Sequence, residues 1–336
     1  MGKDDFRMKS KAGRDCSHNS YEHENARVLR KTKFKSLCKT FSLTVEQSEA
    51  ETSFVSLYVG LKHCSHRYTE QTGLTRSTAS EVKSTSLAAL HAEKRRIMAH
   101  QVVLISGANQ GLGWYAAKQL SSLPNWTVLL GSRDIKKGND AVARINEGQP
   151  QAKVQAIELD VGSDESIGKA VAQITKDIGQ LDVLCNNAGI AIDGKDRSMS
   201  VRDMMQQTYN VNVFGAAALT EACLPLLQKA SYPRVVNVSS GLASLGSTSN
   251  TSINLIGYNT SKTAMNGVTV IHSRRLTGGR VIAVCPGFNA TNLNDHNVNA
   301  GDPAEGARII VRAIVEGKES DLQTGSYVNK SGPIAW

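Results

Sequence analysis

Several classes of protein are excluded by what this chain has little of. It contains 7 Pro, 6 Cys, 3 Trp and 6 Phe in 336 residues, and aromatics make up 5%. Pro and Gly stay far below the density of a collagen-like or wholly disordered chain. No run approaches the roughly 18 consecutive apolar residues of a membrane span, and mean hydropathy is −0.27. The cysteines, at 16, 38, 64, 185, 223 and 285, form no C-x-x-C pair. A disulfide scaffold is thereby excluded, and free thiols in a reducing, cytoplasmic setting are expected. No internal period of roughly 20–50 residues marks a repeat array.

Charge of one sign is abundant only locally. The net charge is +9, but residues 1–97 carry 18 Lys/Arg against 11 Asp/Glu (+7), whereas 98–336 carry 21 against 19 (+2). The near-neutral larger part is therefore not expected to bind nucleic acid. Residues 1–97 show no sustained apolar period and read as a basic, low-order extension. Asp4, Asp5, Asp15, Glu22 and Glu24 argue against a mitochondrial presequence, and the apolar core of a secretory signal is missing. Cys16, His18, His63, Cys64 and His66 do not fall in zinc-finger frames, so no metal is expected. Interleaved acids and the lack of an amphipathic face also speak against a membrane tether. Met98 stands just before the first clear strand and is expected to be the start of translation.

From there the pattern alternates. Short apolar runs at 102–106, 127–130, 154–159, 181–185, 234–239 and 280–285, with a last strand near Tyr327, are separated by helical stretches. These lie at 112–123, 135–147, 164–178, 201–229, 257–277 and 303–315. Continuous apolar strands between amphipathic helices predict an α/β fold, a doubly wound parallel sheet covered on both faces.

The turn after the first strand reads Gly107-Ala108-Asn109-Gln110-Gly111-Leu112-Gly113. Small residues there let the backbone approach a phosphate, and the amides opening the next helix face the anion. The second strand ends in Ser132-Arg133, a hydroxyl and a cation where an acid would select NAD; the pair favours NADP(H). Asp160-Val161 follow the third strand, where a carboxylate can accept from an adenine amino group. Asn186-Asn187-Ala188-Gly189 make a compact turn after the fourth.

Tyr258 and Lys262 stand four residues apart, on one face of a helix. An ammonium there would lower the pKa of the phenol toward working pH. A second such pair, Tyr58 and Lys62, has no Gly-rich turn before it and is set aside. Ser239-Ser240 close the preceding strand, and Asn212 could hold a water that reaches Lys262. Pro286, Gly287 and Thr291 leave a strand end, where α/β sheets place ligands.

In this order the motifs resemble those of the short-chain dehydrogenases/reductases, over 98–336 and not over 1–97. The resemblance is closest to carbonyl-reductase-like members and implies a single Rossmann-type catalytic domain that reduces a ketone, aldehyde or quinone with NADP(H). It further implies Tyr258 as acid/base, Ser240 as the group polarising the carbonyl, Lys262 as the partner of Tyr258 and of the nicotinamide ribose, and Asn212 as holder of a relay water. Asn186 and Thr291 would contact cofactor. A homodimer or homotetramer would pair through 201–229 and 257–277. Departures from the family pattern are Ser106 for the usual Thr, Gln110 for a base, and 18 residues from Ser240 to Tyr258, with an insertion at 246–254. The loop 289–302, almost free of large apolar side chains, predicts an open pocket for small or medium carbonyl compounds. A non-catalytic NADP(H)-binding regulator on the same scaffold is the alternative.

Overall fold

The computed structural model describes residues 100–246 and 255–336. The expected basic extension, its Cys/His residues, the Tyr58/Lys62 pair, Met98 and the centre of the 246–254 insertion lie outside the described residues.

The strands β1 (Gln101–Ile105), β2 (Trp126–Ser132), β3 (Val154–Glu158), β4 (Val183–Asn186), β5 (Arg234–Val238), β6 (Arg280–Val284), β7 (Tyr327–Asn329) and β8 (Gly332–Pro333) make one sheet in the order 3-2-1-4-5-6-7-8. All neighbouring pairs are parallel except β7 with β8. The architecture is the Rossmann-type doubly wound sheet. Successive strand residues point to opposite faces, and two apolar clusters result. Val103, Ile105, Val128, Leu130 and Val236 meet one, while Val102, Leu104, Leu129 and Val235 meet the other. The first is covered by α1 (Gly111–Ser121), α2 (Ile135–Gly148) and α7 (Pro303–Val315). The second is covered by α3 (Asp164–Asp177) and α5 (Ala216–Leu227).

The helix ends follow their sequence. Asp134, Ser163, Ser200 and Asp302 each accept a first-turn amide at the N-caps of α2, α3, α4 (Val201–Tyr209) and α7. Pro303 opens α7 where a missing N–H costs nothing. At its other end the buried guanidinium of Arg280 donates to the carbonyls of Ala313 (2.8 Å) and Glu316 (2.7 Å).

Two features depart from the sequence expectation. The stretch 201–229 is not one helix: a π-helical turn, Asn210–Gly215, separates α4 from α5. Gly215 is packed so closely there that a Cβ would stand 2.2 Å from the Val161 carbonyl oxygen. Such turns rebuild the backbone bonding locally and often mark functional positions. Taken as one helical stretch, Val201–Leu227 (27 residues) is long and apolar enough to cross a membrane, but half of its most apolar window is buried in the domain, as in a core helix. The other departure is β8, an antiparallel strand after β7 that no apolar run announces.

Candidate active site

The order of strands reverses between β1 and β4, and ligands of open α/β sheets bind beyond the strand ends at such a point. A cavity of about 820 Å³ lies there. Its first wall is the Gly-rich turn. Gly107 has φ +62°, and a Cβ on it would stand 2.9 Å from the Cα of Ala188, so only glycine fits. Ser106, in the place of the expected Thr, keeps the hydroxyl's work: it accepts from the amides of Asn187 and Ala188, each at 3.1 Å. Asn187 returns the tie through Nδ2, donating to the carbonyls of Ser106 (2.9 Å) and Gly107 (3.1 Å). The two strand-end turns are thus braced against each other.

Asn109, Gly111 and Leu112 line the cavity at the start of α1. No side chain caps that helix and no acid sits in its first turn, so its amide end is suited to an anion. Gly113 lies behind the wall instead: it is buried, and a Cβ there would meet Asn187 Nδ2 at 2.4 Å. It serves helix–turn packing rather than the cavity surface.

Around the rim, Ser132 and Arg133 line the cavity, joined by Lys137, which the sequence reading missed although it stands one helical turn further on. Asp160 and Val161 follow; Asp160 Oδ1 accepts from Gly162 N at 2.9 Å. Asn187, Ala188, Gly189, Pro286, Gly287 and Thr291 also line it. Asn186 does not. Its Nδ2 points into the interior, donating to Thr220 Oγ1 (2.9 Å) and Asn237 Oδ1 (2.8 Å), so the expected cofactor contact is corrected.

At the far end, α6 (Ile256–Arg275) brings Tyr258 and Lys262 to the cavity beside Ser240, which follows β5. Lys262 Nζ donates to the Val238 carbonyl at 2.7 Å and lies 5.9 Å from the centre of the Tyr258 ring. Burial holds the lysine down at about 8. Burial likewise pushes the Tyr258 phenol up to about 12, with a hydrogen bond to the Ser240 side chain pulling the other way. The spacing of phenol and ammonium predicts a lowered phenol; the shift runs upward, because desolvation outweighs the Ser240 hydrogen bond.

Asn212 sits in the π-helical turn, fully buried and away from the cavity wall. Its Oδ1 accepts from Ile190 N (2.8 Å), and its Nδ2 donates to Ile190 O (2.9 Å) and Ser261 Oγ (2.9 Å). The side chain expected to hold a water is instead committed to protein.

Apolar walls are more extensive than the loop at 289–302 suggests. Ile190, Ala191 and Ile192 after β4, Leu242 after β5, Leu255, Phe288 and Leu293 all line the cavity. Most belong to other loops than the one singled out, and no periodic signal marks them.

The sheet order, the braced Gly-rich turn and the convergence of tyrosine, lysine and serine on one cavity define an oxidoreductase scaffold built for a dinucleotide. The model of the short chain dehydrogenase family matches residues 101–301, and the chain belongs to that family. A short-chain dehydrogenase, anuI, from Penicillium roqueforti is 36% identical over 233 residues, covering 66% of this chain and 91% of its own. Salutaridine reductase from Papaver somniferum is 28% identical over 277 residues, 62% of this chain and 88% of that one. Its solved structure superposes with a TM-score of 0.59 at 25% identity over 68% of this chain and 99% of that chain. A short chain dehydrogenase from Shigella flexneri, solved with NADP, shares the fold at 24% identity and a TM-score of 0.59, over 69% and 97% of the two chains.

Proposed function

We propose that this oxidoreductase uses NADP(H) to reduce the carbonyl group of a small, largely apolar molecule to an alcohol. The observation that carries the reading is that Tyr258, Ser240 and Lys262 open onto the same cavity as the uncapped start of α1. Arg133 and Lys137 at the β2 end give two cations for a 2′-phosphate, which supports NADP(H) over NAD(H). A nicotinamide dinucleotide supplies a hydride when bound. The chain's own residues do the rest. Ser240 donates a hydrogen bond to the carbonyl oxygen, and Tyr258 gives that oxygen its proton as the carbon is reduced. The ammonium of Lys262 then stabilises the phenolate left behind. Such a charge partner is needed because the phenol, chiefly through burial, is pushed up to about 12.

The same proposal assigns catalysis to 98–336, with 1–97 as an extension outside it, and a cytoplasmic, reducing setting. Cys185, Cys223 and Cys285 are free and buried, in keeping with the latter. Pairing of copies is assigned to the helical faces near Phe214, Ile256 and Ile271, whose large apolar side chains stay exposed; sedimentation velocity tests it. The activity is tested by following NADPH, and separately NADH, over ketones, quinones and aldehydes, with Tyr258→Phe alongside. NADPH turnover lost in the variant is the expected result. Binding of NADPH without turnover of any substrate would instead favour a regulator.

A further inference from the structure

The helix that carries Tyr258 has no cap of its own. Leu255 at its N-cap makes no side-chain hydrogen bond, and its first turn holds no acid. The free amides of that turn are met from elsewhere. Asp193, on the loop after β4, accepts from Gly257 N through Oδ1 at 2.7 Å and from Tyr258 N through Oδ2 at 3.1 Å. A carboxylate 65 residues away in sequence thus holds the backbone of the tyrosine itself.

Two further observations show that this contact is built. Gly257 leaves the room for it: a Cβ there would meet Met204 Sδ at 2.5 Å and each Asp193 oxygen at 3.3 Å. The loop bearing Asp193 is also pinned at Ile190, whose N–H and C=O are both taken by Asn212. Ala191 and Ile192 stand between the two anchors and, with Ile190, wall the cavity. Asp193 therefore joins an apolar wall of the pocket to the backbone of Tyr258, and the two share one frame.

We propose that Asp193 is a positioning residue, fixing the Tyr258 hydroxyl relative to the wall against which a substrate rests. The role rests on the acid/base reading of Tyr258. It differs from simple helix capping in what its loss does. A cap lost for stability alone lowers the melting temperature and leaves turnover by the folded enzyme intact. Loss of positioning lowers kcat, because misplacement of a reacting group by about 1 Å can cost up to roughly a hundredfold.

The test uses the full chain, with Asp193→Ala and Asp193→Asn. Asp193→Ala is expected to lower kcat at least about tenfold while the affinity for 2′,5′-ADP, a probe of the distant adenosine end, stays within about twofold of wild type. Hydrogen exchange at the Gly257 and Tyr258 amides should accelerate. Asp193→Asn keeps one acceptor oxygen and should recover much but not all of the lost kcat, with faster exchange at one of the two amides; if the alanine variant does not fold, wild-type kcat beside that faster exchange overturns the proposal. Unchanged kcat in Asp193→Ala despite faster exchange would overturn the proposal, as would an equal fall in kcat and 2′,5′-ADP affinity. Wild-type enzyme with no turnover on any carbonyl compound would sink the reductase reading instead. Exchange then decides the contact alone: unchanged exchange overturns it, and faster exchange supports it.

Discussion

The hydroxyl of Tyr327, on β7, donates to the backbone carbonyl of Ser240. The two are 87 residues apart, and Tyr327 is buried with its ring stacked on Trp336 at 5.6 Å between centroids. Ser244 Oγ also donates to Ala335 O (2.7 Å), and Gly246 N to Trp336 O (2.9 Å). The backbone that presents the serine is therefore supported from beyond β7. Tyr327→Phe keeps the ring and its stacking but loses the donor. A buried hydrogen bond is worth about 1 kcal/mol, so a fall in kcat of about fivefold is expected with only a small drop in melting temperature. Steady-state kinetics and thermal melts on one preparation check both.

Lys262 sets a limit on the alkaline side. Its burial lowers it to about 8, so it is charged below that pH and neutral above it. If the ammonium must stabilise the Tyr258 phenolate, kcat/KM falls as pH rises through about 8. Lys262→Arg keeps the charge at every accessible pH. In the residual activity of that variant the alkaline limb should disappear or move well upward, as a pH–rate profile would show.

Cofactor choice is expected to reside at the end of β2. Arg133→Ala should raise the KM for NADPH by about tenfold or more, the scale of one charge-assisted contact, while the KM for NADH changes little. Lys137→Ala should act in the same direction. Initial rates with both cofactors decide it; equal losses for NADPH and NADH would remove Arg133 from this role.

Gly107→Ala should be among the most damaging small changes. It places a methyl 2.9 Å from the Ala188 Cα at a φ of +62°. Strain at such a position costs on the order of 1–3 kcal/mol, and the displaced turn would no longer present its amides. Loss of NADPH fluorescence enhancement, with a lower melting temperature, is the expected outcome. Asn187→Ala should show a milder form of the same defect, since it removes the ties to Ser106 and Gly107.

The parts of this fold that repeat a local rule were legible from residues alone. Alternating apolar runs and amphipathic helices announced strands β1 to β7, and the helical stretch expected at 303–315 is α7 at both ends. Tyr258 and Lys262 were legible because four residues make one helical turn. The π-helical turn was not, because the widened turn at Asn210–Gly215 is a matter of backbone bonding that its residue types do not mark. Asp193 and Tyr327 were not, because each acts on a backbone group far along the chain. The direction of the Tyr258 shift was hidden as well: spacing reveals a neighbour, but only packing reveals burial. Asn212 illustrates both sides, since its place was readable and the partners of its side chain were not.

The last strand has a consequence for how molecules of this enzyme meet. Along an extended strand, successive backbone N–H groups face alternate sides. Ile334 N points inward to the Tyr327 carbonyl at 2.8 Å, so Pro333 turns its nitrogen to the outer edge. That nitrogen has no hydrogen to offer. This border of the sheet thus presents a two-residue strand with no donor at Pro333, a poor template for strand addition by another chain. A crowded solution of the enzyme is in this way discouraged from stitching its sheets together at that side.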